Sequence, residues 1–169
     1  VESKEEKFIF SKEIIFNKVF FKYDKEEVLN NISFKINKGE TVAIVGHSGA
    51  GKSTIADLLI RFYDVQSGTI KIDDINIQEL SLGQLRDLMG VVTQESILFN
   101  DSVINNIGLG LKEIDHNQVI KSSQMANAHD FIENMGQKYH TQIGDGGNKL
   151  SGGEKQRLSI ARAIYKNPE

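Results

Sequence analysis

Hydrophobic and polar positions alternate in short stretches along the first part of the chain. Ile32, Phe34 and Ile36 alternate with Ser33, Lys35 and Asn37, the period of a strand with one buried face. Val19, Phe21 and Tyr23 follow the same period less cleanly around Phe20 and Lys22. Asn37-Lys38-Gly39 reads as a turn. Ile70, Ile72, Ile75 and Ile77 surround Asp73-Asp74 after a break at Ser67-Gly68, which predicts a hairpin. These pieces predict a small antiparallel sheet. Between them, Thr41 to Val45 (TVAIV) is β-branched and apolar on both faces, as expected of a strand buried in a parallel sheet. Glycines follow, and then a helix from about Ser53 to Tyr63 with Ile55, Leu58, Leu59 and Phe62 on its apolar side. Val91-Val92 predicts a second short buried strand running into Gln94. From about residue 102 to 166 the period turns helical, and Asp115-x-x-Gln118 has the form of a capping box ahead of Val119, Ile120 and Ser123. Phe131 and Ile132 fit a core better than an interface.

Composition narrows this picture. The 169 residues carry 20 Lys+Arg against 23 Asp+Glu, a net charge of −3. That balance argues against nucleic acid as a partner held by gross positive charge. Cysteine is absent, which excludes a disulfide framework, a thiolate metal site and a Cys nucleophile. The longest apolar run, around Val42–Val45, falls far short of the ~18–20 residues needed to span a bilayer. Residues 1–12 form a mixed-charge stretch and read as a linker, and VESKEEKFIF lacks the basic-then-apolar order of a signal peptide. A chain soluble by itself is expected.

The chemistry concentrates in residues 46–54, GHSGAGKST, which fit G-x-x-x-x-G-K-[ST] with Gly46, Gly51, Lys52 and Ser53 in register. Gly46, Gly49 and Gly51 let the backbone of His47, Ser48 and Ala50 curl so that successive N–H groups point inward as an anion nest. The helix that opens beside Ser53 and Thr54 adds the positive end of its dipole. Lys52 can reach the β- and γ-phosphates of a nucleotide, and the Ser53 hydroxyl can ligate a bridging Mg²⁺. His47 occupies a variable place in the loop and receives no chemistry of its own. Residues 150–154 read LSGGE. Ser151-x-x-Glu154 is a capping box, and Gly152-Gly153 allow backbone to approach a ligand closely. The following helix carries Leu158, Ala161 and Ile164 on one side, with Lys155, Arg157 and Arg162 largely elsewhere.

With both motifs in hand, the chain resembles the nucleotide-binding domain of an ATP-binding cassette (ABC) transporter, from about Ile14 to Pro168. GHSGAGKST resembles the family's Walker A loop and LSGGE its signature. VTQESILFNDSVINNI resembles the Q-loop and its sequel, with Gln94 in the glutamine position. ANAHDFI, Tyr139, Thr141 and IGDGGNKLSGGEKQR resemble the exporter branch, although Asp145-Gly146-Gly147 departs from that branch's usual contact loop. The resemblance implies an α/β fold: a RecA-like P-loop NTPase core, an antiparallel β subdomain, and an α-helical signature subdomain over about 95–166. It implies ATP and Mg²⁺ as ligands, with Gln94 touching the metal or the attacking water. Tyr23 falls where an aromatic residue stacks on adenine; a strand tyrosine half-buried in the sheet is the other reading. Ser151, Gly152, Gly153 and Glu154 of the signature count as nucleotide-binding, and in family terms Ser151, Gly152 and Gly153 act on the nucleotide of a second cassette, in a homo- or heterodimer bound to a transmembrane domain at the cytoplasmic face of a bacterial membrane.

In the family, Tyr165-Lys166-Asn167-Pro168 leads into Walker B, the strand that ends in the metal-supporting and water-polarising carboxylates. The expectation is therefore a core that is incomplete at Glu169, and a chain that binds ATP without its full catalytic set. A non-catalytic nucleotide-binding fragment and an ABC ATPase outside transport are the alternatives.

Overall fold

The computed structural model describes residues 8–111 and 113–169. Residues 1–7 of the expected linker lie outside the described residues. The chain divides into two compact units, one running to Leu88 and including Glu169, the other Met89–Pro168.

The first unit is built on a four-stranded antiparallel sheet of order β2-β1-β3-β4, from β1 (Glu13–Tyr23), β2 (Glu26–Asn37), β3 (Ser67–Ile72) and β4 (Ile75–Asn76). The alternating isoleucines and phenylalanines set its register. Phe16 pairs with Phe34 on β2 and with Ile70 on β3. The Phe16 and Phe34 rings stack at 4.5 Å between centroids. Phe16, Phe21, Leu29, Ile70 and Ile72 are buried, and Leu58 of α1 (Lys52–Leu59) joins the same unit's core. A bulge at Asn17–Phe20 puts Lys18 at φ +48, and its N–H is satisfied by the Ser33 hydroxyl at 2.8 Å. A short helix, α2 (Leu82–Asp87), starts from a Ser81 capping box.

The predicted hairpin forms, and its turn has a second task. Asp73 sits at φ +55 between β3 and β4. Its carboxylate accepts hydrogen bonds from the N–H groups of Ser11, Lys12 and Glu13 at 2.7–2.9 Å, and from the Ser11 hydroxyl at 3.0 Å. Burial pushes this carboxyl up, but the backbone donors of Glu13, Ser11 and Lys12 outweigh it and hold it below its ordinary 3.8. A depressed folded-state value means stability that is present above the unfolded value and lost as pH falls through the folded one. Asp73→Ala should therefore lower the unfolding free energy by roughly 1–2 kcal/mol at neutral pH, allowing for solvent screening. The deficit should shrink as pH falls below 3.8, as chemical denaturation at neutral and at acid pH would measure.

Two predicted strands do not form. Thr41–Val45 enters no ladder, and Val42, Ile44 and Val45 are 48%, 43% and 88% exposed. Val91 and Val92 likewise lie outside any strand, and both are exposed. Apolar character on both faces expresses a need for neighbouring strands and a covering layer. Among the described residues no strand pairs with either segment, so neither is held in a sheet nor buried. The helix expected to reach Tyr63 stops at Leu59, because Arg61 takes φ +52 and turns its guanidinium onto the carbonyls of Ile77 and Leu80, both at 3.0 Å. Phe62, expected on the apolar side of that helix, is left exposed.

The second unit is helical: α3 (Val103–Ile107), α4 (His116–Met125), α5 (His129–Glu133) and α6 (Gly152–Tyr165). Asp115 caps α4 by accepting from Asn117 and Gln118 N–H. Val119, Ile132, Tyr139, Leu158 and Ala161 fill one core. Ile132 is fully buried and Phe131 packs against that core beneath the Arg157 guanidinium, as the sequence predicts for both.

Candidate nucleotide-binding site

In the first unit, the loop between Thr41–Val45 and α1 curls through two left-handed glycines, Gly49 at φ +82 and Gly51 at φ +80. Gly51 is required twice over, since a Cβ there would also lie 2.6 Å from Leu29 Cδ2. Ala50 N–H donates to the His47 carbonyl at 3.2 Å and closes the curl. Gly51 is the N-cap of α1 and supplies no side-chain cap, and the first turn holds no acidic residue. The leading amides of α1 are thus left for an anion. Lys52 Nζ donates to the carbonyls of Gly46 at 2.9 Å and His47 at 2.7 Å, which parks its charge at the loop's mouth. His47 Nδ1 lies 2.8 Å from the Ser48 carbonyl and is spent on the loop itself.

Beyond the loop, Ser53 is exposed and Thr54 is buried. Tyr23 Oη donates to Thr54 Oγ1 at 3.4 Å, joining the end of β1 to α1. Tyr63 meets Tyr23 edge-on at 5.1 Å and Phe21 at 5.7 Å. The half-buried ring of Tyr23 therefore stands in an aromatic cluster anchored beside the first turn of α1. The donor set suits a triphosphate: uncapped amides at the start of α1, the Lys52 amine beside them and no competing carboxylate in the first turn. Ser53 offers a single hydroxyl, so a Mg²⁺ there would take most of its ligands from phosphate and water.

The second unit holds the remaining candidates. Gln94 is exposed in a bend after Val91–Thr93. Ser151 caps α6 in a complete capping box. Glu154 Oε2 accepts from Ser151 N–H at 2.8 Å and from its hydroxyl at 2.7 Å, and Glu154 N–H donates to Ser151 Oγ at 3.4 Å. The Ser151 hydroxyl, then its N–H, hold the Glu154 carboxyl below the usual carboxylate range. A Cβ on Gly152 would meet nothing within 4 Å, and one on Gly153 would meet only Arg157 Nη1 at 3.8 Å. The packing of the helical unit does not require glycine at either position. Two residues outside the predicted set also belong in this account. Arg162, half-buried on α6, and Asn106, buried on α3, form a polar network.

A glycine loop with this curl, opening a helix whose first amides are uncapped, defines a P-loop nucleoside-triphosphate-binding protein. Within that class the chain belongs to the ABC transporter family, whose model matches residues 29–169. It is similar, at 55% identity over 130 residues, to a provisionally named multidrug export ATP-binding/permease protein of Staphylococcus aureus, covering 77% of this chain and 22% of that one. It is also 50% identical over 157 residues to an ATP-dependent lipid A-core flippase of Syntrophus aciditrophicus, covering 93% of this chain and 26% of that one. A solved bacterial Atm1-family ABC exporter with ATP bound matches at a TM-score of 0.91 and 45% identity, covering 95% of this chain and 29% of that one. The chain thus has the ABC ATPase domain fold and spans about a quarter of the length of the relatives it matches.

Proposed function

We propose that these residues form the ATP-binding part of an exporter's motor, in a longer protein that hydrolyses ATP to drive a substrate across a bacterial membrane from its cytoplasmic face. The observation that carries this reading is the loop at 46–54, with its left-handed glycines, uncapped α1 and the Lys52 amine at its mouth. The names of the relatives support export. Among the described residues no helix is long and apolar enough to cross a membrane, so a transmembrane partner domain is part of the proposal.

In this reading the amides of 49–54 and Lys52 take the β- and γ-phosphates, while Ser53 and Gln94 hold Mg²⁺. That ion, when bound, neutralises charge developing on the phosphates. Tyr23 presents its ring to adenine, a contact of the kind worth ~1–3 kcal/mol per base. Ser151, Gly152 and Gly153 serve the nucleotide of a second cassette, whose triphosphate the α6 N-terminus attracts.

We further infer that the 169 residues bind ATP more readily than they hydrolyse it. The unpaired segment Thr41–Val45 supports this, because a strand of that character belongs beside another, and in the family that neighbour carries the catalytic carboxylates. Phosphate release by this chain should stay near background while calorimetry shows ATP binding. A longer protein that restores the downstream Asp-Glu strand should turn over at least about a hundredfold faster. Turnover by the 169 residues equal to that of the longer protein would overturn the inference.

A further inference from the structure

The interior of the helical unit contains a charge that packing alone does not call for. Arg162 lies late in α6, on the same side as Leu158 and Tyr165, and its guanidinium is half-buried. Among the described residues it forms no ion pair, and its bonds all go to neutral oxygens. Nε donates to the Asn106 carbonyl at 2.7 Å, Nη1 to the Ile97 carbonyl at 2.8 Å, and Nη2 to Asn106 Oδ1 at 3.3 Å. The Phe99 ring lies 6.0 Å from the guanidinium carbon. Asn106, only 1% exposed, completes the network. Its Oδ1 accepts from Phe99 N–H at 2.8 Å, and its Nδ2 donates to the carbonyls of Phe99 and Ser102, both at 3.0 Å.

Taking a guanidinium out of water is costly unless its donors are met, and here they are met by one stretch of chain: the Ile97 carbonyl on irregular backbone, and the carbonyl and Oδ1 of Asn106 on α3. That stretch begins at Ile97, three residues after Gln94, and ends in α3. Irregular backbone has no ladder of its own to fix it, so the side chains that bond it decide where it lies. A planar fork can hold several carbonyls at fixed angles, which an ammonium cannot.

We propose that Arg162 is a positioning residue: with Asn106 it latches the chain that follows Gln94 onto the helix that Ser151 caps. The bend carrying Gln94 and the start of α6 then move as one body. This rests on the reading in which both ends serve nucleotide, and it assigns to Arg162 the coupling between them rather than any contact with ATP.

The test uses the full-length protein, with spin labels on cysteines introduced at Glu95 and Gln156. Both positions are exposed, and these 169 residues contain no native cysteine. The parent should give one narrow label-to-label distance distribution with and without ATP. Arg162→Lys should broaden it and lower kcat about tenfold or more, leaving KM for ATP and calorimetric ATP affinity within about twofold. Lys121→Gln, which removes an exposed charge from α4 of the same unit and touches none of these bonds, should keep the distribution narrow. Should Arg162→Lys not fold, Arg162→Gln removes the buried charge and carries the same expectation. A distribution as narrow as the parent's in the Arg162 variant, or equal broadening in both variants, would overturn the latch. Failure of the parent to bind ATP would instead strike the nucleotide reading.

Discussion

Lys52→Ala should weaken ATP binding by about 10- to 100-fold, the loss of one or two charge-assisted hydrogen bonds at roughly 1.5–3 kcal/mol. The fold should tolerate the change. Lys52 is the first residue of α1, alanine is the best helix former, and the bonds lost in the free protein run only to the loop's own carbonyls of Gly46 and His47. Those carbonyls hold the amine at the mouth of the loop, and a phosphate oxygen carries more charge and competes well for it. Two measurements separate binding from folding. Calorimetry gives the affinity directly. Thermal unfolding without nucleotide should match the parent, whereas the rise in Tm on adding ATP should be smaller in the variant, because ligand stabilisation follows the ratio of concentration to Kd. Equal affinities for parent and variant would remove Lys52 from the site and with it the central assignment.

The loop was legible because its chemistry demands particular residues at particular spacings. Only glycine accepts φ +80 at Gly51 against Leu29, and only a lysine at 52 both opens the helix and reaches back over the mouth. The antiparallel strands were legible from alternation, since Phe16, Phe34 and Ile70 share one face and register follows from it. The α6 cap was legible from Ser151-x-x-Glu154. Burial of Thr41–Val45 was not, because composition records what a strand requires of its neighbours and says nothing of whether they are there. Helix α1 was read too long because its end is set by Arg61, whose left-handed backbone is anchored by carbonyls sixteen and nineteen residues away. Arg162 was missed for the opposite reason. Its position four after Leu158 and three before Tyr165 put it on the buried face, but charge argued for solvent, and the neutral oxygens that satisfy it come from Asn106 and Ile97, 56 and 65 residues away in the chain.

Replacing Gly152 and Gly153 together by alanine should move stability and activity in opposite directions. Both lie in the first turn of α6 with no positive φ, and the space around each accepts a methyl group at ordinary contact or better. Alanine is worth up to about 1 kcal/mol over glycine inside a helix and less in the first turn, so the double variant should melt at or above the parent. The Ser151–Glu154 capping box uses neither glycine and should persist. If the start of α6 receives a partner's triphosphate, two methyl groups occupy the surface where that ligand must approach, and the amides behind them are shielded. ATPase activity of the full-length protein should then fall about a hundredfold, near 2.7 kcal/mol of transition-state stabilisation. ATP affinity measured at low protein concentration should stay at the parent value, because Lys52 and the 46–54 loop are untouched. Turnover per molecule should rise with protein concentration in a detergent-solubilised parent, as expected of a site shared between two copies, and stay flat in the variant. Parent-like turnover in a variant that folds normally would show that these glycines are kept for neither packing nor nucleotide, and would separate α6 from the catalytic cycle. Loss of turnover together with loss of ATP affinity at low concentration would place the signature on the same copy's nucleotide instead of the partner's.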